Sequence, residues 1–147
     1  MNGPTDEAIA EAVFAYQLVS RMDFGPLGGV THYLALAPSE DPPARLIAKL
    51  AGRGFHVKPV STCRTSPDGV FDRATGERGI INTIGAGDWS PRLRGAAPPT
   101  ELIDSAFHGM VLGEDFFHGL GGHGFRYHLT YSNGEWNVSG AEMLWIS

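Results

Sequence analysis

One hairpin constrains this chain more than any other feature. Phe125-Arg126-Tyr127-His128-Leu129-Thr130-Tyr131 alternates apolar and polar side chains, the period-two pattern of a strand with one buried face. Ser132-Asn133-Gly134 follows. Asn-Gly between two such runs predicts a tight hairpin, because a type I′ turn needs φ > 0 at both central residues. The return run goes from Glu135-Trp136-Asn137-Val138 to Met143-Leu144-Trp145-Ile146, starting half-polar and ending apolar. A strand apolar on both faces is one covered from both sides. Trp136 and Trp145 are therefore expected on the core side.

Ahead of the hairpin the pattern is helix, strand, helix and then strands. Thr5 is placed to cap a helix from Asp6 to Arg21, with Asp6 and Glu7 favourable in its first turn. Ile9, Ala12, Val13, Tyr16 and Val19 recur along it at helical spacing. Val30 to Ala37 reads as a strand, and Pro42-Pro43 opens a second helix, Ala44 to Arg53, ended by Gly54. Phe55 to Ser61 is the next expected strand. Gly69–Asp72 and Gly79–Ile84 flank the turn-rich 73–78 segment as a second hairpin, and Leu102 to Phe117 reads as a long strand. The stretch from Asp88 to Thr100, around Trp89, is expected to be a long loop. Helices first and antiparallel strands after give an α+β fold. The expectation is a single domain over residues 1–147, with an N-terminal helix and a second short helix packed on a curved, mostly antiparallel sheet.

Composition narrows the partners. A chain of 147 residues can bury a core of its own, while 20 glycines, 10 prolines and only 18% charged residues predict many loops. A formal charge of −5 lacks the cationic footprint of a nucleic-acid or anionic-membrane binder. The one cysteine, Cys63, excludes an intrachain disulfide and multi-cysteine zinc sites. No apolar run reaches membrane-span length, and the N-terminus is acidic where a secretory signal is basic, so a cytoplasmic location is expected.

Several blocks carry a resemblance. They are Ala12-Val13-Phe14-Ala15-Tyr16-Gln17, Phe55-His56-Val57-Lys58-Pro59-Val60-Ser61, the run Gly69-Val70-Phe71-Asp72-Arg73-Ala74-Thr75-Gly76-Glu77-Arg78-Gly79, and the closing Gly134-Glu135-Trp136-Asn137-Val138 with Met143-Leu144-Trp145-Ile146-Ser147. Through them the chain resembles a loosely defined group of small bacterial proteins of unknown function. It departs between Gly113 and Gly124, where the group has a Tyr-Tyr pair; here Phe116-Phe117-His118 stands in, and His123 is added. At fold level the order of elements is similar to NTF2-like or cystatin-like domains, in which a curved sheet wraps a long helix. Fold likeness carries no function.

Two constellations carry candidate chemistry. If Phe55, Val57, Phe125, Tyr127 and Leu129 face the core, then His56, Lys58, Arg126 and His128 share the polar face. Lys58 and Arg126 suit an anionic ligand, and His56 and His128 are the candidate general bases, since histidine titrates near neutrality. Phe116 and Phe117, adjacent in a strand, are expected on opposite faces, one for the core and the other for a ligand or second chain. His118, His123 and His128 recur every five residues, but no known metal spacing matches, so no metal and no cofactor is expected. Cys63 beside Arg64 reads as a structural cysteine, and Asp72 as a turn former.

No nucleophile–base set and no cofactor loop is present. The leading expectation is thus a non-catalytic domain binding a protein partner or small ligand, as a homodimer formed through the Phe116–Phe117 strand. The alternative is a small pocket enzyme (isomerase, cyclase or hydrolase) with a histidine base in an aromatic-lined cavity. A filled interior with an apolar surface favours the first; titratable groups at the mouth of an enclosed cavity favour the second.

Overall fold

Two helices pack against a strongly curled, mostly antiparallel sheet, the α+β arrangement that the order of elements predicts. The computed structural model of the chain describes residues 4–22, 30–36, 39–85, 107–118, 121–132 and 134–146. The elements in chain order are α1 (Pro4–Met22), β1 (Thr31–Leu36), α2 (Ala44–Gly52), β2 (Val57–Pro59), a 3-10 turn (Val60–Thr62), β3 (Cys63–Ser66), β4 (Gly69–Asp72), β5 (Arg78–Ile84), β6 (Phe107–His118), β7 (Gly121–Ser132) and β8 (Glu135–Ile146). The sheet runs β2-β1-β5-β6-β7-β8, and the β3–β4 hairpin joins it through β4, which pairs with β5. Only β1 has parallel partners, β2 and β5.

The closing hairpin forms as its sequence dictates. Ser132 pairs with Glu135, leaving a two-residue loop, and Gly134 takes a φ of 78°, which its missing Cβ permits. Trp136 is buried, as expected; the side chain of Trp145 lies outside the described residues. β8 slips register against β7 twice, between Gly124 and Phe125 and between His128 and Leu129. Such slips increase the local twist, as a curled sheet requires.

Several boundaries differ from the sequence reading. α1 begins at Pro4, so Thr5 lies within the helix rather than capping it; proline is at home in a first turn. The strand expected over Phe55–Ser61 is reduced to Val57–Pro59, because Pro59 has no N–H to extend the ladder and the chain turns into the 3-10 segment. Cys63–Ser66, to which the sequence pattern assigned no element, is β3, an edge strand on β4. β6 starts at Phe107, and 101–106, where the earlier start was expected, lie outside the described residues, as does the Asp88–Thr100 loop.

The main core lies between the helices and the inner face of the sheet. Ile9, Val13 and Phe14 of α1 meet Leu46 and Leu50 of α2 over Leu34, Ile84, Tyr127, Leu129 and Trp136. A smaller cluster, Tyr33, Cys63 and Val70, forms where the β3–β4 hairpin closes on the outer face. It needs Gly79: a Cβ there would stand 2.7 Å from the Thr31 carbonyl oxygen and 3.0 Å from Tyr33 Cδ2. No helix of the described residues is long and apolar enough to cross a membrane.

Candidate functional site

An open groove of about 620 Å³ lies between α1 and the start of β8. It exists because α1 is apolar on more than its core side. Ile9, Val13, Phe14 and Leu18 face the core, while Ala12, Ala15, Tyr16 and Val19 form a second stripe beside them. That second stripe meets Trp136 and Val138 across the groove. Tyr16 is 37% exposed and Val19 53% exposed, although both share the helical spacing of the buried Ile9 and Val13. The Tyr16 ring stands edge-on to Tyr127, with centroids 5.8 Å apart, which fixes one wall. The polar end carries Arg53, which donates to Glu11 at 3.2 Å and lies 5.6 Å from the Phe55 ring centroid.

The expected polar face does not converge. Its parity is right: Val57 packs on the core and Lys58 turns outward, as do Arg126 and His128. But β2 and β7 are four strand spacings apart in the sheet order, on the order of 19 Å along the sheet. Each half is also engaged locally. Lys58 Nζ donates to Asp72 Oδ2 at 2.9 Å. His128 Nε2 lies 2.5 Å from Glu142 Oε1, and Arg126 Nη1 3.8 Å from the same oxygen. The His128 bond, before the Arg126 charge, holds the Glu142 carboxyl below its ordinary value. His56 is exposed, and its carbonyl takes the His32 N–H.

The remaining candidates fall mostly outside the described side chains. The side chains of His118, His123, Phe116 and Phe117 lie outside the described residues. Phe116 pairs with Ile81 and Gly122, but Phe117 falls at a register shift between Phe116 and His118. Strict alternation therefore does not extend to it. Among the described residues no group of three His, Cys, Asp or Glu could hold a metal ion. Cys63 is buried and its thiol donates to the Val60 carbonyl at 3.2 Å. Burial pushes its pKa up; Arg73, rather than Arg64, is the cation opposing that shift.

Two polar arrangements were not legible in the sequence. Asp72 is the turn former expected, its Oδ1 accepting from the Ala74 and Thr75 backbone N–H groups at 2.8 and 3.1 Å. Its Oδ2 also takes the Tyr33 hydroxyl at 2.7 Å, together with Lys58. The Tyr33 bond first, then Lys58 and the two amides, hold the Asp72 carboxyl far below the usual carboxylate range. Burial and the Asp72 carboxylate push the Tyr33 phenol far up. The second arrangement is the buried pair His32–Asn82, in which Nδ1 donates to Oδ1 at 2.7 Å. Asn82 is fully buried, and its Nδ2 has no partner among the described residues. Asp115 is its register partner on β6, and His123 the partner of Asp115 on β7.

No family model, no curated protein and no solved structure matches the chain.

Proposed function

We propose that the protein is a non-catalytic binding domain that seats a small, largely apolar ligand in the groove between α1 and β8. The carrying observation is the second apolar stripe of α1, which leaves Tyr16 and Val19 exposed beside Trp136 while the core beneath is filled. The groove, about 620 Å³, falls within the ~300–1,000 Å³ usual for small-molecule sites. Its walls are largely aromatic and aliphatic, with the Glu11–Arg53 pair and, at the start of β8, Glu135 as its charged residues. That combination favours a flat hydrophobic body over a polyanion. The enzyme reading has less support, since His56 and His128 both lie on the surface rather than at an enclosed cavity.

Binding of the dye anilinonaphthalene sulfonate to the folded protein tests this reading. Saturable binding should weaken about tenfold in Tyr16→Ala and in Val19→Ser, as expected for losing one good apolar contact. Met143→Ser removes an equally exposed side chain that does not line the groove and should leave the affinity unchanged. Equal affinity in all four proteins would place the ligand elsewhere.

A further inference from the structure

The chain carries a net charge of −5, yet three arginines among the described residues stand without a carboxylate partner in one corner. Among the described residues, Arg45, Lys49, Arg53, Lys58 and Arg126 each have a carboxylate within 4.0 Å. Arg64, Arg73 and Arg78 have none. All three lie on the β3–β4–β5 corner, a surface separate from the α1–β8 groove.

Their placement is built into the sheet. Arg64 on β3 is the register partner of Phe71 on β4, and Phe71 is the partner of Arg78 on β5. The guanidinium carbons stand 4.8 and 5.1 Å from the Phe71 ring centroid. Cation–π contact with a partly buried ring limits the freedom of both side chains before any ligand arrives. Arg78 Nη1 donates to the Asp68 carbonyl at 3.0 Å, which anchors it further. Arg73 is anchored through Nε, donating to the Ser61 carbonyl at 3.1 Å, and through its backbone N–H, donating to the Thr62 carbonyl at 2.9 Å. Its terminal guanidinium donors are not used by those bonds.

A recess of about 360 Å³ is lined by Arg64 and Arg73 together with Ser39, Ser61 and Thr65; Arg78 lies outside its lining, against the Phe71 ring. Asp41, close by, accepts the Ser61 backbone N–H at 2.8 Å, and Asp72 is taken up by Tyr33, Lys58 and two backbone amides. Guanidinium groups gathered without a counter-charge repel one another, and an anion between Arg64 and Arg73 relieves that repulsion. Planar guanidinium forks match tetrahedral and planar oxyanions two donors at a time.

We propose that this corner is a binding site for the phosphate group of a small molecule, with Arg64 and Arg73 as its charge ligands, the hydroxyls of Ser61 and Thr65 as additional donors, and Arg78 adding positive potential from outside the recess. A dianion fits better than a carboxylate, because more than one positive charge is left unbalanced.

Calorimetric titration with inorganic pyrophosphate at constant ionic strength tests the site. Saturable binding is expected in the parent and should weaken at least about tenfold in Arg64→Gln and in Arg73→Gln, each of which removes charged hydrogen bonds to the oxyanion. Both side chains are exposed, and a thermal melt of each variant checks that the fold is retained. Arg45→Gln, in a pair with Glu7 away from the corner, should bind like the parent. Absence of saturable binding overturns the proposal. So does equal affinity for sulfate, equal affinity in the two corner variants, or binding of a poly-glutamate peptide with none of pyrophosphate.

Discussion

Gly79→Ala is the sharpest perturbation of the reasoning about the outer face. Gly79 sits opposite both Thr31 on β1 and Val70 on β4, so its backbone cannot retreat without opening a ladder. A new Cβ there meets the Thr31 carbonyl oxygen at 2.7 Å and Tyr33 Cδ2 at 3.0 Å, closer than such atoms pack. The Tyr33 ring is fully buried and tethered by its hydroxyl to Asp72, so it has nowhere to swing. Either the strands part or the tether breaks. Overpacking of this kind costs about 1–3 kcal/mol, and a buried hydroxyl left without a partner a similar amount. With two obstacles at one carbon, about 2–3 kcal/mol is expected, a fall of roughly 4–12 °C in Tm for a chain of this size. Chemical and thermal melts of Gly79→Ala measure it. The double variant with Tyr33→Val isolates the ring: there the alanine should cost at least about 1 kcal/mol less than in the parent. A Gly79→Ala protein melting within about 1 °C of the parent would refute the argument.

Trp136→Ala should cost ~3–5 kcal/mol, since the ring is buried between the closing hairpin and α1; a variant melting like the parent would count against that packing. The lowered Asp72 pKa implies a contribution to stability that is complete above about pH 4 and lost as pH falls below it. The raised Tyr33 pKa implies one complete below about pH 10 and lost as pH rises beyond it. In unfolding measured against pH, Asp72→Asn should flatten the acid limb and Tyr33→Phe the alkaline limb. Cys63, buried and with its thiol pKa raised, should react with an aromatic disulfide reagent only on unfolding; rapid reaction in the native protein would show that the 3-10 turn opens.

Local chemistry was legible wherever one pattern had one outcome. The Asn133-Gly134 hairpin, the turn at Asp72 and the outward parity of Lys58, Arg126 and His128 follow from residue type and period two alone. Helix periodicity was less decisive. α1 carries apolar residues on two adjacent stripes, so of the set at helical spacing Ile9 and Val13 are buried while Tyr16 and Val19 are exposed, and Phe14 and Leu18, outside that set, fill the core. Only the second helix and the sheet decide which stripe is covered. Sheet order was not legible at all. The parallel pairing of β1 with β5, across the intervening α2, β2, β3 and β4, separates His56 and Lys58 from Arg126 and His128. The Arg64–Phe71–Arg78 ladder is likewise a product of register across three strands, invisible in a chain where the three residues are seven apart.

The order of the sheet also decides what kind of surface each polar group makes. Asp72 accepts four hydrogen bonds, two from backbone amides and two from Tyr33 and Lys58. A carboxylate offers about four lone-pair sites, so this one has none left for a ligand. Its charge is spent within the fold, holding the end of β4 against β1 and β2, and Lys58 is spent with it. Lys58 was the one cation of the 55–61 block expected to bind an anion. Its capture by Asp72 leaves Arg73, the next residue along from that carboxylate, as the cation facing solvent with no carboxylate of its own. Asp72→Asn therefore bears on more than stability: removing the carboxylate releases Lys58 beside the Arg73 corner and adds a fourth uncompensated cation. If that corner binds phosphate, the Asp72→Asn protein should, while still folded near neutral pH, bind pyrophosphate more tightly than the parent and with a steeper dependence on salt. Weaker binding with a shallower salt dependence would mean that the carboxylate orders the corner rather than merely neutralising it, and that Arg73 depends on the Asp72 turn for its position.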